Sequence, residues 1–217
     1  MDLVNDDFKM RGGRALYLNT EAGSYQEAFY KSLGYRSLPN APGSMVQVFQ
    51  NKQLQGSGSL TPETFSWGDW PHLNVLLLSK VGATVRWNAI GLDALGSVES
   101  LVLQLFFQHD VLKLEGVPEI IVLRNNKGLL SGFFSFVKRC NDTHTQFDFY
   151  YLPDDAIEAR QIASKSLEEK KVDLCWTIAT EDIDLLKPQE LGFYPASSSG
   201  SSPSTDPKIA LYRLGLA

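Results

Sequence analysis

The run from Phe147 to Phe193 constrains the fold most, because it reads as strand, turn, helix, strand, helix. That order makes one right-handed crossover between two neighbouring parallel strands. Tyr150, Tyr151 and Leu152 end an aromatic-rich strand, and Pro153 stops it. Asp154 or Asp155 is placed to cap the helix that follows, with Glu158 three residues after Asp155 as in a capping box. Ala156, Ala159, Ala163 and Leu167, with Ile162 beside them, form one face of that helix, while Arg160, Lys165 and Glu168 form the other. Leu174, Trp176 and Ile178 then alternate with Asp173, Cys175 and Thr177, which is the period of a strand.

The rest of the chain supplies partners for this unit. A strand is expected at 74–80 and a helix through Val98, Leu101, Val102, Leu105 and Phe106, with Ser97 as its cap. EIIVLRN and GLLSGFFSFVKRC read as two strands joined by Asn125-Asn126-Lys127-Gly128, a hairpin signal. Residues 74–217 therefore predict one complete α/β domain with a mixed sheet. Upstream, residues 1–14 are polar and expected to be frayed, and ALYLNT at 15–20 reads as a strand. A helix follows with Ala28, Phe29 and Leu33 on one face and Gly34 at its end, and MVQVF at 45–49 is another strand. Gly- and Ser-rich sequence then predicts a linker over 56–73. The order strand, helix, Leu-Gly-aromatic, loop, strand occurs twice, with Leu33-Gly34-Tyr35 matching Leu191-Gly192-Phe193. Residues 1–55 are thus expected to be the C-terminal piece of a second domain of the same kind.

Composition removes several function classes. The chain is 43% hydrophobic and 21% charged, which suits a globular protein and not a disordered one. Its 20 basic and 25 acidic residues give a net charge of −5, with no Lys/Arg block to bind nucleic acid. No apolar run approaches the ~18 residues that span a bilayer. MDLVNDDFKMRGG lacks the apolar centre of a signal peptide, so a cytoplasmic protein is expected, with Cys140 and Cys175 reduced and shielded. His72, His109 and His144 are too scattered for a metal site, and no metal is expected.

The element order, with Ala28-Phe29-Tyr30-Lys31-Ser32-Leu33-Gly34-Tyr35 as its sharpest motif, resembles the GNAT superfamily of acyl-CoA-dependent N-acyltransferases. The resemblance implies a GNAT-like mixed central sheet flanked by helices, in a tandem arrangement whose first domain lacks its front end. It also implies acetyl-CoA or another acyl-CoA as cofactor and a small-molecule or peptide amine as acceptor. The family holds its cofactor at the turn after the central strand, which makes Tyr151, Leu152, Asp155 and Ala156 the cofactor-binding candidates here. That turn, Leu152-Pro153-Asp154-Asp155-Ala156-Ile157, has two carboxylates where the family has glycines. Tyr30 falls at the family's general acid, a place that Pro188 takes in the second repeat. A general base belongs on the central strand beside the amine. Asp148 shares one strand face with Tyr150, which makes Asp148 the base or amine-binding group and Tyr150 a wall of the pocket. The function implied is acyl transfer from acyl-CoA to an amine; the alternative is a non-catalytic GNAT-like module that binds a ligand or partner or regulates a catalytic relative.

Overall fold

A computed structural model describes residues 2–10, 15–38, 41–49, 59–70, 72–73, 86–87, 92–93, 115–152, 155–170, 172–179, 183–196 and 209–214. The chain opens with helix α1 (Asp2–Met10), not with the frayed segment expected. Its polar sequence conceals two anchors on one helical face. Asn5 is buried and donates to Gln47 Oε1 at 3.5 Å, and the Phe8 ring lies 5.8 Å from Phe49.

Three strands follow, β1 (Ala15–Asn19), β2 (Arg36–Leu38) and β3 (Ala41–Val48), in the order β1-β3-β2 with both outer strands antiparallel to β3. Helix α2 (Tyr25–Ser32) connects β1 to β2. Ser24 caps it, its Oγ accepting from the Glu27 amide at 3.2 Å. Gly34 ends it at φ 91°, a left-handed turn that only glycine enters without cost. The buried face of α2 is not the one expected: Ala28 is exposed and Phe29 is 44% exposed, while Glu27 is buried. The Glu27 carboxylate tolerates burial because Ser37 Oγ and the Gly23 amide donate to it and Lys31 Nζ lies 2.9 Å away. Bonds from Ser37, Lys31 and Gly23 hold its pKa down to about 2.

The larger sheet begins where a linker was expected. Strand β4 (Thr61–Thr64) pairs antiparallel with a strand sixty residues downstream, and a 3-10 turn follows at Trp67–Asp69. Two short strands, β5 (Arg86–Trp87) and β6 (Leu92–Asp93), pair with each other. The sheet is completed by β7 (Glu119–Arg124), β8 (Leu130–Val137), β9 (Thr145–Tyr151), β10 (Leu174–Ala179), β11 (Phe193–Pro195) and β12 (Ile209–Leu214). Its order is β11-β12-β10-β9-β8-β7-β4. β9 and β10 are parallel and every other pair is antiparallel. Helix α3 (Ala156–Glu168) makes the crossover predicted between β9 and β10, and α4 (Ile183–Leu186) with a 3-10 turn at Pro188–Leu191 connects β10 to β11. The strand and helix expected at 74–80 and 98–106 lie outside the described residues.

Alternation along the strands gives this sheet two faces. Phe134, Phe147, Phe149, Trp176 and Phe193 line the face toward α3, all fully buried, against Ala159, Ala163 and Leu167. Phe147 stacks on Phe193 at 5.4 Å and meets Trp176 edge-on at 5.1 Å. The sheet edge is clasped by charge. Arg124 donates from Nε to Glu63 at 2.8 Å, from Nη1 to the Gly128 carbonyl at 3.1 Å and from Nη2 to Asp69. Asp69 also accepts from the Ser66 amide at 2.7 Å and hydroxyl at 2.9 Å.

The sequence repeat is also a backbone repeat. β10, α4, β11 and β12 reproduce β1, α2, β2 and β3, with the order β10-β12-β11 matching β1-β3-β2. Gly192 at φ 80° matches Gly34. Cys175 is buried as expected, but Cys140 is exposed, because it sits in the turn beyond β8 and not in the strand.

Candidate active site

The parallel strands stay together only briefly. β9 and β10 pair at Thr145–Leu174, Gln146–Cys175 and Phe147–Trp176, after which Asp148–Tyr151 and Thr177–Ala179 run on without pairing to each other. The Leu152 amide donates to the Ser131 carbonyl at 2.8 Å, which fixes the alternation of the β8–β9 ladder. Residues 148, 150 and 152 therefore turn their peptide groups toward β8, whereas Phe149 and Tyr151 turn theirs toward the departing β10. Open α/β sheets take ligands at such a crevice, beyond the carboxyl ends of parallel strands.

The face away from α3 supplies polar side chains here. Asp148 is 1% exposed and stands opposite Ser135 on β8, itself fully buried. Tyr150 is buried too, its ring stacked on Phe133 at 5.0 Å. Gln146 Oε1 accepts from Cys175 Sγ at 3.0 Å and Thr177 Oγ1 at 3.3 Å, tying β10 to β9 just before they part. Burial, and then the negative charges of Asp148, Asp142 and Asp173, push the Cys175 thiol up to about 12. Cys175 therefore stays a neutral thiol and offers no nucleophile.

Tyr151 points the other way, toward α3. Its hydroxyl accepts from Arg160 Nη1 at 3.0 Å, and Arg160 Nε lies 3.0 Å from Glu190. Burial raises the Tyr151 pKa against the pull of Arg160, so the phenol remains protonated. Arg160 and Lys165 also line a groove of about 450 Å³ along α3, with Ile157, Gln161, Ser164, Glu168 and Glu190.

The turn after β9 departs from its expected chemistry. Asp155 makes no side-chain cap, and Glu158 Oε1 accepts from the Leu60 amide at 2.8 Å instead of closing a capping box. Leu60 carries the entry into β4 across the start of α3, so tertiary packing diverts the carboxylate that the local pattern assigned to the helix. Ala156 and Ile157 are the first two residues of α3, at the end where a helix's amides lie ahead of its own ladder. The Leu152 and Asp155 amides are already committed, the latter to the Leu152 carbonyl at 3.0 Å. Asp154 lies outside the described residues.

Asp148, Tyr150, Tyr151, Leu152, Asp155 and Ala156 thus follow one another along a strand end and a helix start. Tyr30 lies on α2, away from this strand end in the first repeat, its ring edge-on to Phe29 and Tyr35 at 5.5 Å each. Its counterpart Pro188 is buried in the 3-10 turn. Sequence reading overlooked Ser135, the Gln146–Cys175–Thr177 trio and the Arg160–Glu190 link to Tyr151. Ser131 and Ser135, spaced four apart among phenylalanines, were a signal for the polar face.

No family model matches the sequence, and no curated protein is significantly similar to it. Solved structures do match. A mutant of the spermidine N-acetyltransferase SpeG from Vibrio cholerae is 14% identical, with a TM-score of 0.50 over 72% of this chain and 93% of that one. Spermidine N-acetyltransferase from the same organism in complex with CoA and spermine is 13% identical, with a TM-score of 0.47 over 71% and 93%. The fold is that of the GNAT superfamily. Within this GNAT fold, no group of three or more His, Cys, Asp or Glu that would hold a metal occurs among the described residues. No described helix is long and apolar enough to cross a membrane.

Proposed function

We propose that the chain transfers an acyl group from acyl-CoA to an amine at the parting of β9 and β10. The observation that carries this reading is the short β9–β10 pairing, which ends beside the buried Asp148 carboxylate. The Phe149 and Tyr151 peptide groups suit the amides of an extended pantetheine arm, as an added strand would. The Ala156 and Ile157 amides and the Arg160 guanidinium suit phosphate oxygens. Asp155 opposes them, so a weak grip on the pyrophosphate is expected. When bound, the thioester supplies an activated acyl carbon. Asp148 takes a proton from the acceptor ammonium and so frees its lone pair; as the N–C bond forms and the C–S bond breaks, the second proton the nitrogen loses passes to the departing thiolate. Tyr150 and Phe133 wall the pocket and exclude water. The first repeat is, on this reading, the C-terminal piece of a further GNAT-like domain, supported by its matching strand order and left-handed glycine.

The test is thiol release from acetyl-CoA with spermidine or a peptide amine as acceptor, alongside calorimetry with acetyl-CoA. Asp148→Asn should lower kcat by roughly 10²–10⁴ with acetyl-CoA binding unchanged. Binding without turnover would favour the second reading, a non-catalytic GNAT-like module, whose specific support is Pro188 in place of a proton-donating tyrosine. No binding and no turnover would exclude the enzyme.

A further inference from the structure

Arg160 ties the end of β9 to the turn that follows β10 and α4. It stands in the second turn of α3, where its Nη1 donates to the Tyr151 hydroxyl at 3.0 Å and its Nε lies 3.0 Å from Glu190. Glu190 belongs to the 3-10 turn at Pro188–Leu191. The Arg160 side chain is 15% exposed, against 50% for Glu190. Both line the groove of about 450 Å³ along α3, so the pair lies beside a space of ligand size.

A guanidinium holds a phosphate most firmly through two parallel N–H bonds. The side-on grip uses Nε and Nη2, and Glu190 holds Nε. Ala156 and Ile157 open α3 one turn before Arg160, ~5–6 Å along the axis. A phosphate chain at the helix start therefore comes within reach of the same guanidinium. Glu190 has somewhere else to go. Its Oε1 accepts from Lys187 Nζ at 2.8 Å, and its half-exposed carboxylate is open to water. The bond from Lys187 outweighs partial burial and, with the charge of Arg160, lowers the Glu190 pKa, so Glu190 is ionised at neutral pH. Tyr151 keeps Arg160 in place meanwhile, its ring centre 5.7 Å from the guanidinium carbon.

We propose that Glu190 is a counter-ion that an acyl-CoA phosphate must displace from Arg160, and so a residue that sets how tightly the cofactor is held. The inference rests on the acyl-CoA reading above. Glu190 touches no reacting atom; it is a positioning residue that acts through Arg160. The exchange replaces an Arg–carboxylate contact by an Arg–phosphate one, in which two N–H bonds serve where Glu190 used one. Glu190 passes to Lys187 and water. An ion pair with one half-exposed partner contributes little on its own. Its presence therefore tunes cofactor affinity a few-fold and does not block binding.

Calorimetry of the full chain with acetyl-CoA and with inorganic pyrophosphate tests this. Glu190→Gln keeps the shape of the side chain and removes its charge, and should tighten acetyl-CoA binding about two- to fivefold. A purely structural role for Glu190 would leave affinity unchanged or weaken it. Arg160→Gln should weaken binding, and adding Glu190→Gln to that variant should gain nothing, because the group it competes for is gone. Should Arg160→Gln fail to fold by circular dichroism, Arg160→Met, which keeps the packing of the stem, takes its place. The Arg160 Nε–H signal, identified by its absence from the Arg160 variant, should shift as pyrophosphate is added. Acetyl-CoA bound equally by wild type and Glu190→Gln overturns the proposal and leaves the acyl-CoA reading standing. A gain that persists without Arg160 overturns it as well, since Glu190 then acts by direct repulsion. The expected pattern with pyrophosphate, but no binding of acetyl-CoA, upholds the exchange at Arg160 and sinks the acyl-CoA reading. Binding of neither probe overturns both.

Discussion

Replacing Asp69 by alanine tests the claim that residues 59–70 belong to the larger sheet. Asp69 is 2% exposed and accepts from the Ser66 amide, the Ser66 hydroxyl and Arg124. Hydrogen bonds to a charged group contribute about 1.5–3 kcal/mol each, but three that share one carboxylate do not add. Arg124, with its side chain 22% exposed, would keep Glu63 and the Gly128 carbonyl. The loss therefore falls short of the ~3–5 kcal/mol for stranding a fully buried charge. About 2–4 kcal/mol remains, or a fall in Tm of roughly 5–15 °C for a chain of this length. Burial pushes the Asp69 carboxyl up, but the bonds from Ser66 and Arg124 outweigh it and the net shift is downward. A depressed pKa stabilises the fold above the ordinary carboxylate value, near ~3.9, and that stability disappears as pH falls through the folded value. Thermal melts of wild type and Asp69→Asn should therefore differ at neutral pH and converge in acid. Equal melting temperatures at neutral pH, or a gap that survives full protonation, would refute the reasoning.

Other outcomes follow from the same geometry. A thiol reagent should modify Cys140 quickly and Cys175 only on unfolding, read as one label and then two by intact mass. Glu27, held to about 2, adds stability that is complete above its ordinary value, near ~4.3, and is lost as pH falls through about 2. Carboxyl NMR should show that titration point, and a midpoint near the ordinary value would sink the assignment. A chain starting at residue 56 should melt cooperatively, while one starting at 74 loses β4 and exposes the β7 edge. Light scattering should show that shorter chain aggregating.

The sequence made the crossover unit legible because each of its parts obeys a simple period. The apolar face of α3 and the alternation of β10 appear where the spacing predicted them, and Asn125–Gly128 is the expected hairpin turn. β4 was hidden because Thr-Pro-Glu-Thr has no apolar alternation; as an edge strand exposed at all four positions, it is held by Arg124 and register instead of by a buried face. The buried face of α2 was misread for a related reason, since Glu27 is kept inside by Ser37 and Gly23, partners distant from the helix pattern. The site was half legible. Asp148 and Tyr150 were placed by alternation. The turn of Glu158 away from the helix start to the Leu60 amide is one that no local pattern encodes.

That last bond has a temporal consequence. Leu60 and Glu158 are 98 residues apart in the chain, and Asp69 and Arg124 are 55 apart. The β7–β8 hairpin closes across a short turn, whereas β4 must wait for partners far downstream. During synthesis at ~5–20 residues per second, the Leu60 amide would stand ready roughly 5–20 s before Glu158 is made. The edge strand is thus translated early and seated late. Pulse-labelled amides in β4 should gain protection after those of β7 and β8, and in native exchange they should be among the first of the sheet to open.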